Sequence, residues 1–156
     1  MLKKYAFTAV FGVLLTSSLT YGEVDTPAYW EYFVEAGERY SLDPKILLAI
    51  GMTESSLKPH AINKDNRNKS IDVGIMQINS WWFKTLKKHT EDLNNLYDPR
   101  FNIHVGAWVL KQCTNRYGVT WKAVDCYNKG ENNAKNISSY VRMVNKSYMK
   151  IKDKNF

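Results

Sequence analysis

Two carboxylates in this sequence stand in settings suited to acid–base chemistry on a glycosidic bond. Glu54 closes an apolar helical run, and Asp72 follows in a segment that also holds Gly74, Gln77 and Asn79. Cleavage of a glycosidic bond requires a carboxylic acid that is still protonated near neutral pH and a means of stabilising a sugar cation beside it. Glu54 and Asp72 are therefore the candidate catalytic residues.

The position of Glu54 predicts a raised pKa. A carboxylate at the C-terminus of a helix faces the negative end of the helix dipole, which favours the protonated form. Apolar neighbours such as Ile50 and Met52 add desolvation, which acts in the same direction. Raising the pKa of a glutamate from about 4.3 to about 6 requires roughly 2.3 kcal/mol, which burial can supply. The alternative is a surface glutamate that merely ends a helix.

The segment Gly74–Asn79 combines a flexible backbone with amides that suit a sugar ligand. Glycine permits close backbone approach, and Gln77 and Asn79 offer donors and acceptors for hydroxyl and N-acetyl groups. Asp72 would act as a nucleophile if its carboxyl lay about 5–5.5 Å from that of Glu54, or would activate water at about 6.5–9.5 Å. The alternative for Asp72 is a turn aspartate that binds its own backbone.

Tyr127 and Asn128 form a third candidate group. The Tyr127 hydroxyl is suited to contact Glu54 or a sugar, and the Asn128 amide is suited to bind an acetamido carbonyl. An Asn-Lys-Gly sequence is equally an ordinary helix terminator, so this group by itself is weak.

The first 22 residues have the pattern of a secretory signal peptide. Lys3 and Lys4 precede an apolar stretch, Tyr5 to Leu15, and Thr20–Gly22 provides small residues for cleavage. A membrane anchor is the rival interpretation, but the stretch is short for a bilayer span, and no later segment is apolar enough. We therefore expect a periplasmic protein with no stable membrane span and with one domain over residues 23–156.

Removal of residues 1–22 lowers the net charge of the chain from +7 to +5. This balance suits an anionic partner such as peptidoglycan, whose stem peptides carry carboxylates, although a solvated basic surface is the plainer interpretation. We expect no nucleic-acid partner, because the chain carries no motif for one.

The chain has two cysteines, Cys113 and Cys126. Export into an oxidising compartment favours a disulfide between them, and a reduced buried pair is the alternative. His60, His89 and His104 are scattered without the spacing of metal ligands, so we expect no metal site and no cofactor.

Local start and stop patterns predict the helices that position these residues. Thr26-Pro27, Asp43-Pro44 and Asp98-Pro99 each pair a capping side chain with a proline suited to a first helical turn. The run after Asp43-Pro44 is apolar on nearly all sides, which predicts a central buried helix that ends at Glu54. Gly118 and Gly130 are expected helix ends, each with a further helix beyond it.

The middle of the chain predicts a small β-hairpin near residues 60–75. Its strands lie near Ile62 and Ile71, and a polar asparagine-rich loop connects them. A helix is expected over Ser80–Lys88 with its aromatic side chains partly packed inside, and a last helix is expected to carry Ile137 and Tyr140. The predicted fold class is α+β and mostly helical.

Taken together, three motifs resemble the signatures of the soluble lytic transglycosylases. They are Glu-Ser-Ser at 54–56, Gly-Ile-Met-Gln-Ile-Asn at 74–79 and Tyr-Asn-Lys-Gly at 127–130. The chain is most similar to the small specialised members associated with secretion systems and conjugation machines. The resemblance runs in order over residues 30–148.

This resemblance implies a lysozyme-like fold and cleavage of the β-1,4 bond between N-acetylmuramic acid (MurNAc) and N-acetylglucosamine (GlcNAc). Glu54 matches the single catalytic acid/base, and the product is a 1,6-anhydro sugar formed without water or metal. Gln77, Asn79, Tyr127 and Asn128 match substrate-contacting positions. The implied partners are peptidoglycan glycan strands and a component of a secretion apparatus.

Two departures keep other functions open. Cys126 stands where the family usually has alanine, and the stretch Asp72–Trp82 is similar to that of animal-type lysozymes, in which the aspartate is the second catalytic carboxylate. The alternatives are therefore a muramidase-type hydrolase that uses Glu54 and Asp72, or a non-catalytic peptidoglycan-binding assembly protein.

Overall fold

Five α-helices and a small antiparallel sheet surround a sixth, buried helix in this computed structural model, which describes residues 26–90, 92–130, 132–135 and 137–156. The helices are α1 (Trp30–Tyr40), α2 (Pro44–Ser55), α3 (Phe83–Leu86), α4 (Pro99–Tyr117), α5 (Trp121–Lys129) and α6 (Ser139–Met149); the strands are β1 (Ile62–Asn63), β2 (Asp72–Val73) and β3 (Ile78–Asn79). Short 3₁₀ turns cover Ser80–Trp82 and Leu93–Tyr97. This arrangement confirms the predicted α+β, mostly helical class, and the expected signal peptide lies outside the described residues.

Most of the predicted helix ends are confirmed. The Asp43 carboxylate accepts a hydrogen bond from Lys45 N at 2.8 Å, and Asp98 accepts one from Phe101 N at 2.7 Å, so both aspartates cap their helices. Gly118 ends α4 in a left-handed conformation (φ 69°). None of the helices in the described residues is long and apolar enough to cross a membrane.

The expected beginnings of the first and last helices are wrong. Residues after Thr26-Pro27 form a turn in which Trp30 N donates to the Pro27 carbonyl, and α1 begins only at Trp30, after a left-handed Tyr29 (φ 63°). The last helix begins at Ser139 and leaves Ile137 outside it and 72% exposed. A local hydrogen bond closes the turn before α1, and another forms the cap before α6. The hydrophobic pattern of the sequence reveals neither of them.

Helix α2 forms the centre of the fold, as predicted. Leu47, Leu48, Ala49 and Ile50 are fully buried, and α2 packs against α1 and α6. Burial of these side chains is the main contribution to stability, at about 1.5–3 kcal/mol for each large one. A helix buried on all sides also carries its C-terminal residues, including Glu54, into the interior.

The predicted hairpin is present, but the sheet has a third strand that the sequence pattern did not indicate. Strands β1 and β2 pair across the polar loop, and β3 pairs with β2 in the register Asp72↔Asn79 and Val73↔Ile78. Because side chains alternate across a sheet, Val73 and Ile78 face the core and Asp72 and Asn79 face the other side together. The register therefore places an amide beside the second carboxylate.

A buried asparagine supports the turn between β2 and β3. Asn102 of α4 is 1% exposed; its Oδ1 accepts from Met76 N at 2.7 Å, and its Nδ2 donates to the carbonyls of Val73 (3.0 Å) and Leu96 (2.9 Å). Gly74 lies against it with φ 81°, and a Cβ there would be only 2.1 Å from Asn102 Nδ2. The glycine is therefore required by both its backbone angle and the close approach of α4.

The disulfide between Cys113 and Cys126 is present and joins α4 to α5. Its two half-cystines and Ala123 form a small buried cluster separate from the main core. The bond fixes the helix that carries Tyr127 and Asn128 against α4.

Substitution of Gly74 tests this close approach. Gly74→Ala should lower the free energy of unfolding by about 3 kcal/mol or more, because it adds both left-handed strain and an overlap with Asn102. Gly130→Ala is the matched control: Gly130 has a similar φ of 76° but open space around its Cβ position, so it should cost about 1 kcal/mol. Urea denaturation measures the free energy of unfolding, and an equal decrease in the two variants would contradict the close contact between Gly74 and Asn102.

Candidate active site

Glu54 lies at the C-terminal end of α2, partly buried, with a tyrosine on its carboxyl group. Its Oε1 accepts a hydrogen bond of 2.6 Å from the hydroxyl of Tyr140, which is 5% exposed at the start of α6. Burial raises the pKa of Glu54 from an ordinary value of 4.5 to about 7; the Tyr140 hydrogen bond lowers it in part, and the charge of Asp72 raises it again. Glu54 is thus half protonated near neutral pH.

Ser55 attaches the end of α2 to the turn after β2. Its hydroxyl donates to the Ile75 carbonyl at 2.8 Å and accepts from Lys58 N at 3.1 Å. The chain leaves the helix through a left-handed Ser56, as is common at helix ends. The first two motifs are therefore held together by the residue directly after Glu54.

Three amides surround the Asp72 carboxylate. Oδ2 accepts from Asn63 Nδ2 (3.1 Å) and Asn66 Nδ2 (2.8 Å), and Oδ1 accepts from Asn79 Nδ2 (2.7 Å). Hydrogen bonds of this kind fix the orientation of a carboxylate. The Asp72 side chain is thus bonded to other side chains and not to its own backbone. Sequence reasoning missed Asn63 and Asn66. The only feature that could have indicated them is the asparagine-rich loop of the hairpin, which faces Asp72.

The two predicted substrate amides are both engaged within the protein. Gln77, in a left-handed conformation (φ 47°), donates through Nε2 to the carbonyls of Gly74 (2.9 Å) and Ala61 (3.2 Å). Asn79 donates to Asp72 and to Ser70 Oγ (2.8 Å). Asn79 thus binds Asp72 directly, whereas Gln77 holds the turn after β2. Contact of either side chain with a substrate stays a prediction.

Tyr127 does not contact Glu54 as one sequence interpretation suggested. Its hydroxyl donates to the Met76 carbonyl at 2.6 Å, and burial, followed by the charges of Glu54 and Asp72, raises its pKa well above the usual value. Tyr127 is therefore a neutral donor that braces the turn after β2. Asn128, the next residue, is exposed.

Asp125 links α5 to the start of α6, and sequence reasoning missed it. This carboxylate is 0% exposed and accepts from Ser138 Oγ (2.5 Å), Lys135 N (2.7 Å) and Lys129 Nζ (3.1 Å). Ser138 in turn caps α6 by accepting from Val141 N. Asp125 thereby fixes the end of the helix that carries the tyrosine bound to Glu54.

A row of tryptophans begins beside Asn79. Trp81 N donates to Asn79 Oδ1 at 2.9 Å, and the Trp81 ring is 73% exposed, which is contrary to the expected packing inside. Ring centroids lie 4.6 Å apart from Trp81 to Trp82 and 4.9 Å apart from Trp82 to Trp108. The exposed Trp81 indole, beside the asparagine that binds Asp72, provides a flat apolar surface for a ligand.

The chain is similar to several known proteins. Residues 31–150 match the Transglycosylase SLT domain. The chain is 34% identical over 129 residues to the invasion protein IagB of Salmonella typhi, with coverage of 81% of this chain and 80% of the relative, and 38% identical over 98 residues to protein IpgF of Shigella flexneri, with coverage of 62% and 63%.

A solved structure has the same fold. It is an inactive mutant of the lytic transglycosylase Slt from Pseudomonas aeruginosa, with a TM-score of 0.57 and 18% identity. The match covers 78% of this chain but only 22% of that much longer one. At this identity the similarity shows the fold alone.

Removal of the Tyr140 hydroxyl tests its contact with Glu54. Tyr140→Phe should raise the pKa of Glu54 further, by about one pH unit, because a hydrogen bond that favours the carboxylate is lost. Tyr127→Phe is the control: its hydroxyl donates to Met76, so the Glu54 pKa should change much less. Carbon-13 NMR titration of the glutamate carboxyl signals measures both; a lowered pKa in Tyr140→Phe would contradict the assignment.

Proposed function

We propose a mechanism for this chain, which belongs to the transglycosylase SLT domain family and is a lytic transglycosylase that cleaves peptidoglycan. Glu54 acts alone as the acid and base of the reaction. The observation that supports this role is its pKa of about 7, which leaves a large protonated fraction at neutral pH.

In the first step, Glu54 donates its proton to the glycosidic oxygen as the bond from MurNAc C1 to that oxygen breaks. The GlcNAc leaves with the proton, and the substrate N-acetyl group stabilises the positive charge on C1. In the second step, the Glu54 carboxylate removes the proton from the MurNAc 6-hydroxyl, whose oxygen attacks C1. The 1,6-anhydro ring closes, Glu54 is protonated again, and no water is consumed.

We propose that Asp72 stabilises the developing positive charge and does not act as a nucleophile. Three amide donors already occupy its carboxylate, which reduces its tendency to form a covalent bond but keeps its negative charge in place. The charge of Asp72 contributes to the raised pKa of Glu54, which supports a role for both groups in one site. The effect of Asp72 on the pKa of Glu54 also favours a second candidate function, a hydrolase in which Asp72 would support attack by water.

Gln77, Asn79, Tyr127 and Asn128 are proposed to line the glycan site. Gln77, Asn79 and Tyr127 support this, because they donate to Gly74, Asp72 and the Met76 carbonyl at or beside the turn after β2. Asn128 directly follows Tyr127 in α5. Asn128 is exposed and is the one with a side chain open to solvent for an acetamido group. The other three act mainly by holding the turn in shape.

We further propose that residues 1–22 export the chain and that the domain over residues 23–156 opens the wall in the periplasm for a trans-envelope secretion machine. Similarity to a relative named as an invasion protein supports this context.

In a host lacking the gene, secretion should be restored by the wild-type chain and not by Glu54→Gln. Equal restoration by both would remove the link between cleavage and secretion.

Cleavage of purified sacculi tests the chemistry. Glu54→Gln should lower the rate by about 100-fold or more, and Asp72→Asn by about 100-fold with the 1,6-anhydro product retained. Because the acid form of Glu54 is required, the wild-type rate should fall about tenfold for each pH unit above about 7. Mass spectrometry identifies the product, and ordinary reducing ends labelled from isotopic water would establish the hydrolase instead.

A further inference from the structure

A groove of about 680 Å³ lies between α1, α4 and the turn after α3, and none of its lining residues belongs to the catalytic group. We call it the α1–α4 groove and define it by Glu35, Arg39, Tyr40, Arg100, His104 and Trp108. Its volume falls in the range of small-ligand sites. We propose that this groove binds the carboxylate-bearing stem peptide of peptidoglycan while the glycan occupies the site at Glu54; the identity of this ligand rests on the proposed function.

The acidic side of the groove is already neutralised. Glu35 accepts two hydrogen bonds from Arg100, at 2.8 Å from Nε and 2.5 Å from Nη2. Asp98 is used as the N-cap of α4. Both carboxylates of the groove therefore already accept hydrogen bonds from the protein, and Glu35 is paired with a cation.

The groups that remain available in the groove are donors and cations. Arg39 forms no ion pair with any residue that the structure describes, and its guanidinium lies 5.8 Å from the centre of the Tyr40 ring. Arg100 retains N–H groups beyond the two that Glu35 uses. A ligand carboxylate would form an ion pair with Arg39, whose planar guanidinium is well suited to it, and would accept hydrogen bonds from the remaining N–H groups of Arg100.

His104 adds a buried nitrogen with a long contact in the groove. Its Nε2 lies 3.6 Å from Glu35 Oε1, slightly beyond hydrogen-bond distance. A ligand carboxylate in the groove would offer this nitrogen a closer acceptor.

One side of the groove carries three lysines. Lys84, Lys87 and Lys88 on and after α3 are exposed, and His89 after them lines the groove. The lysines raise the positive potential on the α3 side, which favours an acidic peptide there. The rings of Tyr40 and Trp108 provide an apolar floor for its aliphatic parts.

The tryptophan row connects the groove to the catalytic side. Trp108 lines the groove and contacts Trp82, which contacts Trp81 beside Asn79, in two centroid steps of 4.9 and 4.6 Å. An extended four-residue peptide spans about 13 Å, which exceeds the length of this row. A peptide attached to a sugar near Trp81 is therefore long enough to extend along this row to Trp108.

Binding of three defined ligands to Glu54→Gln protein, which leaves the substrate intact, tests the proposal. The ligands are the GlcNAc–MurNAc disaccharide, the same disaccharide with its tetrapeptide, and the free tetrapeptide. We expect the free tetrapeptide to shift the amide NMR signals of Arg39, Arg100 and His104. In the same protein, Arg39→Gln should weaken binding of the peptide-bearing disaccharide at least about tenfold, with the bare disaccharide unaffected.

Arg142→Gln is the matched control, because Arg142 is an exposed arginine of α6 outside the groove. Arg39→Gln breaks no ion pair among the described residues, so it should leave the thermal midpoint unchanged. Equal affinities in the Arg39 and Arg142 variants, or no tetrapeptide-dependent signal shifts in the groove, would overturn the proposal. Loss of secretion in Arg39→Gln with unchanged tetrapeptide binding would also overturn it, in favour of a partner protein.

Cleavage of peptide-free glycan strands separates this proposal from the proposed function. That reaction depends on Glu54 and not on the groove, so Arg39→Gln in an otherwise wild-type chain should cleave such strands at the normal rate. If the wild-type chain fails to cleave them, the catalytic proposal fails, and the tetrapeptide titration still decides whether the groove binds peptide.

Discussion

Partial removal of one carboxyl group from water is the interaction on which the site depends. Holding the pKa of Glu54 at about 7 instead of 4.5 means that its ionised form is disfavoured by about 3 kcal/mol in the folded chain. The pKa of Glu54 is higher in the folded chain than in the unfolded chain. The cost to the free energy of folding is therefore absent below about pH 4.5 and complete above about pH 7. The fold must supply that free energy elsewhere, and the fully buried face of α2 is its main source.

The two carboxylates of the site are kept in opposite environments by neighbouring parts of the fold. Glu54 lies against apolar groups with a single tyrosine hydroxyl, whereas Asp72 receives three amide hydrogen bonds from the hairpin and β3. Carboxyl groups whose surroundings differ in this way take different roles, one as a proton donor and one as a fixed charge. The small sheet therefore has a function beyond packing, since its register determines which amide stands beside Asp72.

Helix α4 connects most parts of the molecule that matter for ligand binding. Asn102 holds the turn after β2, Trp108 joins the tryptophan row, and Cys113 ties α5 into place. The same helix contributes Arg100 and His104 to the α1–α4 groove. One rigid helix thus lies between the glycan site and the groove that we assign to the stem peptide. It would hold the two binding sites at a fixed distance, so that the glycan and the peptide of one substrate could bind together.

Local chemistry in the sequence was enough to place most helices and to predict that Glu54 is buried at the end of one. Asp43-Pro44, Asp98-Pro99 and Gly118 act through bonds to residues two to four positions away, so their effect is readable from the chain itself. The apolar run before Glu54 likewise predicts burial from composition alone. Only the tertiary structure decided that Tyr140, 86 positions away, and not Tyr127 binds Glu54, that Asn63 and Asn66 hold Asp72, and that Asp125 positions α6. These hydrogen bonds join side chains from separate elements, and their partners are set by how α2, α5, α6 and the sheet pack together, which no local pattern encodes.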